Sequence, residues 1–332
     1  MREPVVAAIP GGLISFMKPL FAGFLFFFLG LFVLGRVEAD QARTVTDELD
    51  RQVQLPERIE RIVSLAPSIT ESVFAIDQGH RLVGVTQYSN HPPQARELPS
   101  VGSYVNLDVE KIVALQPDLC LATKDGNPYP AILQLERAGI PVYALDPRDL
   151  PAIMDTILDL GRVLDAEEKA RQVAGAMRQK VQEIKEVVGQ AESRPRVFYQ
   201  IGVSPIVSAG QDTFAHELIT LAGGENVAAE SNQYPRYSRE DVLVFNPDII
   251  LINTMGREEM MVQEEKDKWQ KFHQISAVKT GRIHALNPDL FNRPTPKLTR
   301  ALVILVQLFH PQLAGKLNVN TDAGDRATHA NE

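Results

Sequence analysis

The residues of this chain that could do chemistry are suited to binding more than to catalysis. Tyrosines recur in loop-like segments rich in Pro, Asn and Ser, among them Tyr129 and Tyr237. A tyrosine ring presents a flat apolar face and a polar tip, which suits contact with a large and partly polar ligand. Within these segments we predict a set of ligand-binding residues: Pro67, Ser68, Tyr88, Tyr104, Asn127, Tyr234, Phe291 and Arg293.

A second pattern is a glutamate that occurs twice in a repeated segment. The stretches LDVEKIVALQPDLCL and YSREDVLVFNPDIIL align through Pro117 and Pro247, and this alignment puts Glu110 on Glu240. A glutamate near the start of a helix is common, because the helix dipole favours negative charge there. The same position in two repeated segments points to a further, shared role.

Signatures of catalysis are missing from the sequence. It contains no G-x-S-x-G nucleophile elbow, no phosphate-binding G-x-x-x-x-G-K-[ST] loop, no H-E-x-x-H and no C-x-x-C. The seven histidines are scattered singly, so none forms a short-spaced metal pair. We therefore predict no catalytic residue, no metal ligand and no cofactor. An α/β enzyme of the chelatase type is the alternative, and it would need histidines and carboxylates clustered in a cleft.

Composition and the N-terminus narrow the class further. The 332 residues carry a formal net charge of −8 without a long basic run, so nothing favours nucleic acid as a partner. Residues 19–34 form an apolar run after Lys18, which predicts a signal peptide at 1–39, cleaved after Ala39. Met17 is an alternative start, and an uncleaved membrane anchor is the alternative to cleavage. The only cysteine, Cys120, excludes an intrachain disulfide, and we expect a periplasmic protein.

The elements that must position these residues alternate between short β-rich runs and helix-like segments, which predicts parallel sheets with helical crossovers. A hairpin is predicted at 44–57, and the longest helix at 166–191. Further strands are predicted at 61–65, 82–86, 118–122, 141–145, 196–202, 248–253 and 282–286. Further helices are predicted at 68–77, 107–116, 129–138, 212–222, 238–245, 265–275 and 296–310.

The internal repeat indicates an α/β fold of two similar lobes joined by one long helix. A ligand cleft between the lobes is expected at the carboxyl ends of the strands. The predicted domains are the hairpin at 40–58, an N-terminal lobe at 59–160, a linker helix at 161–193, a C-terminal lobe at 194–312 and a disordered tail at 313–332.

Four segments resemble a known family: RIVSLAPSITE, VGVTQYSNHPPQA, VEKIVALQPDL and YPRYSREDVL. They resemble the helical-backbone class of periplasmic substrate-binding proteins, which serve ATP-driven importers of cobalamin, siderophores and haem, and are most similar to its cobalamin-binding branch. The resemblance covers roughly residues 44–310. It implies two Rossmann-like lobes with mainly parallel sheets, limited closure of the cleft, and capture of a corrinoid, with cobalamin expected.

The resemblance also implies a role for the repeated glutamates. In this family one surface glutamate from each lobe forms a salt bridge with arginines on the two copies of the membrane permease, and the matching positions here are Glu110 and Glu240. The implied partners are the permease dimer with its ATPase and one small-molecule ligand. We expect a monomer that meets the membrane only through the permease.

The match at the ligand residues is less complete. Tyr88 keeps the tyrosine of the family motif YSxxPPQ, whereas Tyr104, Tyr234, Thr123 and Leu290 stand where the best-known cobalamin binder has tryptophan. A related corrinoid, a ferric siderophore or haem is therefore an alternative ligand. Haem would favour a tyrosine or histidine ligand to iron, for which Tyr88, Tyr104 and His91 are the candidates.

Overall fold

Two central sheets with helices packed on them organise the part of the chain that the structure, a computed structural model, describes: residues 43–254 and 259–317. The strands are β1 Arg43–Thr46, β2 Gln52–Leu55, β3 Ile62–Ser64, β4 Leu82–Val85, β5 Gly102–Ser103, β6 Asn106–Leu107, β7 Leu119–Thr123, β8 Val142–Leu145, β9 Arg196–Val203, β10 Ile206–Ser208, β11 Glu225–Asn226, β12 Arg236–Tyr237, β13 Ile249–Ile252 and β14 Ile283–Ala285. The α-helices are α1 Pro67–Ala75, α2 Val109–Ala114, α3 Tyr129–Arg137, α4 Leu150–Val163, α5 Glu167–Val188, α6 Phe214–Leu221, α7 Arg239–Phe245, α8 Glu259–Gln270, α9 Ser276–Lys279, α10 Pro288–Phe291 and α11 Leu298–Phe309.

The N-terminal lobe is built on a sheet of four parallel strands in the order β4-β3-β7-β8. These strands are short apolar runs, as expected when helices cover both faces of a parallel sheet. Cys120 lies in β7 and is fully buried, and burial raises the pKa of its thiol to about 12. The thiol therefore stays protonated at neutral pH and serves as a packing group.

The C-terminal lobe is built on a mixed sheet in the order β12-β10-β9-β13-β14, with β11 also paired to β9. The central ladders β9–β13 and β13–β14 are parallel, while β10 and β12 add antiparallel pairs at one edge. The predicted architecture of two α/β lobes with mainly parallel sheets is therefore confirmed.

The predicted hairpin is formed by β1 and β2, which pair antiparallel from Arg43↔Leu55 to Thr46↔Gln52. Its turn contacts the edge strand β8. The backbone N of Glu48 donates to the carbonyl of Ala144 at 3.1 Å, and the Ala144 backbone N donates to a carboxylate oxygen of Asp47 at 3.2 Å. The hairpin thus covers backbone groups that an open sheet edge would leave unpaired.

Two consecutive helices connect the lobes. The predicted long helix is α5, and α4 precedes it, a helix that the sequence analysis did not predict. Signals for α4 were present in the sequence, because Asp149 is a typical N-cap residue and Leu150, Ile153, Ile157 and Leu160 recur at helical spacing. In the structure Asp149 accepts a hydrogen bond from the backbone N of Ala152 at 2.7 Å. One continuous apolar cluster runs from the N-terminal sheet through α4 and α5 to α6 and α11, so the lobes share their main core, and each lobe has a smaller apolar cluster of its own.

Several predicted boundaries differ from the structure. The helix predicted at 265–275 is α8, which ends at Gln270. Leu313 and Leu317, which were assigned to the tail, are buried in the main apolar cluster and belong to the core. The predicted signal peptide at 1–39, which includes the apolar run at 19–34, lies outside the described residues. The predicted tail beyond residue 317 also lies outside them. Among the described residues no helix is long and apolar enough to cross a membrane.

Candidate functional site

The predicted ligand residues of the N-terminal lobe all lie shortly after strands. Pro67 and Ser68 begin α1, three and four residues after the end of β3, and are half-buried. Tyr88 follows β4 and is 46% exposed, while Tyr234 precedes β12 and is 61% exposed. The carboxyl ends of parallel strands are where α/β proteins bind ligands, and these side chains are accessible there.

A buried cluster of hydroxyl groups holds the loop that carries Tyr88. Ser89 Oγ lies 2.9 Å from Thr86 Oγ1 and 3.0 Å from Thr70 Oγ1. Thr70 Oγ1 in turn lies 2.8 Å from Ser64 Oγ in β3. All four hydroxyl residues are buried, and each has a partner, which is the condition under which polar groups are buried without a large cost. The loop of Tyr88 is therefore tied to β3 and α1.

Asn127, a predicted ligand residue, uses its side-chain amide to hold the backbone of Tyr104. Its side-chain oxygen accepts from the backbone N of Thr123 at 2.8 Å, and its Nδ2 donates to the carbonyls of Leu65 and Tyr104 at 2.8 Å each. The ring of Tyr104 lies over Gly126, where an added Cβ would come within 2.7 Å of the ring. Gly126 also has a φ of +127°, a conformation that favours glycine.

Phe291, also a predicted ligand residue, is buried in the structure. The side chain is 4% exposed and packs in the main apolar cluster at the end of α10. A ring with so little accessible surface cannot stack on a ligand. The sequence showed an aromatic residue in a loop-like segment, but the burial of that segment depends on packing between elements that are distant in the chain.

Arg293 joins the two lobes. Its Nη1 donates to Glu71 Oε1 in α1 at 2.6 Å and to Asn90 Oδ1 at 2.8 Å. Its Nη2 donates to the carbonyl of Tyr88 at 3.1 Å and to Asp289 Oδ1 at 2.8 Å. Asn90 Nδ2 also donates to Asp289 Oδ2 at 2.9 Å. Arg293 therefore connects α10 of one lobe with α1 and the Tyr88 loop of the other.

The charges in this inter-lobe network balance. Glu71 and Asp289 supply two negative charges, Arg293 supplies one positive charge, and Lys297 Nζ lies 3.5 Å from Glu71 Oε2 and supplies a second. Glu71 is 5% exposed and Arg293 is 8% exposed. A buried ion pair is stable only when its remaining hydrogen bonds are also made, and here both terminal nitrogens of Arg293 have two acceptors. The terminal nitrogens of Arg293 therefore donate to acceptors within the protein.

Two polar side chains that meet beside the carboxyl end of β13, those of Asn253 and Tyr199, were not identified from the sequence. Asn253 directly follows β13, and its Nδ2 contacts Tyr199 Oη of β9 and donates to Asn292 Oδ1 at 2.5 Å. Burial raises the pKa of Tyr199 above its usual value, the hydrogen bond with Asn253 opposes the rise, and the nearby Tyr234 adds to it. Both residues resembled ordinary members of an apolar strand, so no sequence signal distinguished them.

The repeated glutamates occupy equivalent places on two short helices. Glu110 lies in the first turn of α2, where Asp108 Oδ1 accepts from the backbone N of Lys111 at 3.0 Å. Glu240 lies in the first turn of α7, which begins with a capping box formed by Ser238 and its partner three residues later. Both glutamates are exposed, so neither is required for packing, and the helix dipole favours a negative charge at this point.

The ends of these two helices are also built alike. Gln116 and Asn246 both have positive φ, 47° and 45°, and each precedes a buried proline. The carboxylate of Asp118 then accepts from the backbone N of Arg61 at 2.8 Å, and that of Asp248 from the backbone N of Arg196 at 2.9 Å. Each proline thus marks a helix-to-strand corner, and the aspartate after it joins that corner to the start of a central strand of its lobe.

Other features of the described surface do not gather the predicted residues. A groove of about 480 Å³ beside β2 is lined by Tyr129 and residues 139–142, among others. A second of about 660 Å³ lies between residues 76–78 and 165–172 and is lined mainly by charged side chains. Within residues 43–254 and 259–317, no three His, Cys, Asp or Glu side chains form a group that could hold a metal ion.

Two α/β lobes connected by a long helix, with tyrosines in loops beside an inter-lobe contact, are the features of a two-lobed solute-binding protein. Residues 62–290 match the family described as periplasmic binding protein. Because this match spans more than half of the sequence, the chain belongs to that family. The family comprises transport components and not enzymes, and its members act in the periplasm and deliver their ligand to a permease.

Named relatives agree with this assignment. The chain is 36% identical to the vitamin B12-binding protein of Vibrio cholerae serotype O1 over 245 residues, which is 73% of this chain and 86% of the relative. Among solved structures it is similar to the periplasmic vitamin B12-binding protein BtuF of Vibrio cholerae, with a TM-score of 0.66, 33% identity and coverage of 78% of this chain and 99% of that one. It is also similar to a periplasmic heme-binding protein from Pseudomonas aeruginosa, with a TM-score of 0.71, 28% identity and coverage of 76% and 94%.

We predict that Arg293→Met lowers the free energy of unfolding by about 3–5 kcal/mol, because it leaves the buried carboxylate of Glu71 without its main partner. Urea denaturation at neutral pH measures the loss. Adding Glu71→Gln to Arg293→Met removes the unpaired buried charge and should recover part of the lost free energy of unfolding. The control is Arg148→Met, whose guanidinium pairs only with Asp146 at the surface and should cost about 0–1 kcal/mol. Equal losses for the two arginine variants would contradict a buried inter-lobe pair.

Proposed function

We propose that this protein captures a corrinoid, cobalamin, in the cleft between its lobes and delivers it to the permease dimer of an ATP-driven importer, which works with an ATPase. It acts as a monomer and meets the membrane only through the permease. The observation that carries the ligand assignment is the 36% identity to a vitamin B12-binding protein over 86% of that protein's length.

The charge balance at the inter-lobe contact supports a neutral ligand. A corrin ring is rimmed by amide groups, whereas haem carries two carboxylates that need cationic partners. Arg293 donates its terminal hydrogen bonds to Glu71, Asn90, Asp289 and the carbonyl of Tyr88, so this guanidinium is not available to a carboxylate. The exposed rings of Tyr88 and Tyr234 remain, and they suit a flat ligand edged with polar groups.

Haem is the second candidate ligand, because a heme-binding protein at 28% identity has a similar fold. Tyr88 and Tyr104 are the tyrosines that could reach an iron in this cleft, and His91 follows in the same loop as Tyr88. A ferric siderophore is the remaining ligand of this class. The chelatase-like enzyme is not proposed, because the family is one of transport components.

We predict that cyanocobalamin binds the purified protein with a Kd below about 1 µM in isothermal calorimetry, while haemin and ferric siderophores bind much more weakly. Tyr88→Ala and Tyr234→Ala should each weaken cobalamin binding roughly tenfold, since a stacked aromatic ring contributes on the order of 1 kcal/mol.

Tyr129→Ala is the matched control for these variants, because Tyr129 is 66% exposed but lines the groove beside β2. It should leave the affinity unchanged. Tight binding of haemin with none of cobalamin would replace the first candidate with the second, and no binding of either would reject both.

The repeated glutamates are proposed to be the contacts with the permease. A permease dimer presents the same surface twice, so a protein that docks across its two-fold axis needs a similar charge on each of two lobes. Glu110 and Glu240 fit this requirement, since both are exposed in the first turn of equivalent helices. Charges of this kind contribute mainly to orientation and to the rate of encounter.

We predict that Glu110→Ala combined with Glu240→Ala lowers the affinity for the purified permease–ATPase complex by roughly a hundredfold, mainly through a slower on-rate, and that the effect shrinks in high salt. The affinity for cobalamin should not change. Glu167→Ala is the control, because Glu167 is an exposed glutamate in the first turn of a helix without a repeated counterpart. A parallel loss of cobalamin affinity would place the two glutamates in the cleft or the fold instead.

We also propose that the protein is exported and that its signal peptide is cleaved after Ala39. Mass spectrometry of the protein released from the periplasm should give a chain that begins at Asp40. Recovery of an intact N-terminus in the membrane fraction would show an uncleaved anchor.

A further inference from the structure

A buried carboxylate lies in the C-terminal lobe, away from the inter-lobe network. Glu265 of α8 is fully buried. Its Oε1 accepts from Gln200 Nε2 at 2.8 Å and from Arg239 Nη2, and its Oε2 accepts from Lys268 Nζ at 3.2 Å. Taking a carboxylate out of water is costly unless it is paired and hydrogen-bonded, so these partners are required for its presence here.

The arginine of this pair is held from a second side. The guanidinium of Arg239 lies over the ring of Trp269, 4.4 Å from the ring centroid, which is a cation–π contact. Trp269 Nε1 donates to Gln200 Oε1 at 2.7 Å, and the ring packs against Phe198 at a centroid distance of 6.1 Å. The side chain of Arg239 is therefore fixed between an ion pair and an aromatic ring, and both are anchored on β9.

Arg239 lies next to the glutamate that is proposed to contact the permease. It is the first residue of α7 and directly precedes Glu240. The helix has seven residues, and helices this short have little stability of their own. Contacts that hold its first residue therefore determine where the first turn, and Glu240 with it, points.

The equivalent helix in the other lobe is anchored differently. In the alignment of the repeated segments, Val109 stands where the C-terminal lobe has Arg239. Val109 packs on the apolar cluster of the N-terminal lobe, which contains Ile112 of the same helix. One glutamate is thus positioned by apolar packing and the other by a buried ion pair.

We propose that Glu265 and Arg239 are positioning residues that hold Glu240 in the orientation needed for docking to the permease. This inference rests on the proposed docking role of Glu240, and it adds which contacts create the docking-competent surface. It also implies that the two docking helices differ in their sensitivity to the loss of charge.

The ionisation of Glu265 agrees with this role. Burial works against the charged form, but hydrogen bonds from Gln200 and Arg239 outweigh it, and the pKa of Glu265 is lowered from its ordinary value. The facing cation on α7 is Arg239, and the neighbouring cation on α8 is Lys268. The pair is therefore charged at neutral pH.

The decisive experiment measures docking to the purified permease–ATPase complex by surface-captured binding kinetics. Glu265→Gln should weaken docking roughly tenfold while cobalamin affinity stays within about twofold of wild type. Asp267→Asn is the matched control, since it removes the same charge from an exposed position of the same helix, and it should have no effect. Should Glu265→Gln fail to fold, Arg239→Lys keeps the charge but removes the planar group that pairs with Glu265 and lies over Trp269.

A double variant separates positioning from a general structural effect. If Glu265 acts through Glu240, Glu265→Gln should cost no further docking affinity once Glu240→Ala is present. The emission of Trp269, the only tryptophan of the chain, should shift in Glu265→Gln and not in Asp267→Asn. Hydrogen exchange should also become faster in residues 239–245 and stay unchanged in residues 109–114.

The outcomes distinguish this inference from the proposal on which it rests. If Glu240→Ala leaves docking unchanged, the docking role itself is wrong. If Glu240→Ala weakens docking but Glu265→Gln behaves like Asp267→Asn, the docking role stands and the positioning role is wrong. Additive losses in the double variant, or an equal loss of cobalamin affinity, would also overturn the positioning role.

Discussion

The buried ion pair between Arg293 and Glu71 is the interaction on which the relation between the two lobes depends. The apolar cluster that runs through α4 and α5 holds the lobes together, but hydrophobic contact is not directional and tolerates rotation. The ion pair is directional, because displacing either lobe would leave a buried charge without its partners. Since Arg293 also donates to the carbonyl of Tyr88, the same contact sets the place of an aromatic ring at the cleft.

Most polar groups around the cleft are used to hold loops. The hydroxyls of Ser89 and Thr70 hold the Tyr88 loop in place. The amide of Asn127 joins the backbone of Tyr104 to the backbones of Leu65 and Thr123. What remains for a ligand is ring surface together with a few exposed polar tips. A surface of this kind suits a neutral, polar-edged macrocycle better than a dicarboxylate, in line with the ligand proposed above.

The fold could be predicted from local signals, and the site could be predicted only in part. Alternating β-rich and helical segments indicated the α/β class, and the repeated segments aligned on Pro117 and Pro247 indicated two similar lobes. The hydrogen bonds of Asp118 and Asp248 had no local signal, because each carboxylate accepts from a backbone group more than fifty residues earlier in the chain. The burial of Phe291 and the pairing of Arg293 depend on contacts between residues that are distant in the chain, and no local pattern contains that information.

The two repeated segments have the same outline in both lobes, but the contacts that stabilise them differ. Helices α2 and α7 both have a polar cap and an exposed glutamate, and each is followed by a residue with positive φ before a proline and by an aspartate that accepts a hydrogen bond from a strand backbone. Under this common outline the N-terminal helix packs a valine and the C-terminal helix an arginine over tryptophan. Packing of a valine is indifferent to pH and salt, while an ion pair depends on the charge of both members. The two lobes therefore hold equivalent glutamates in place by different physical means.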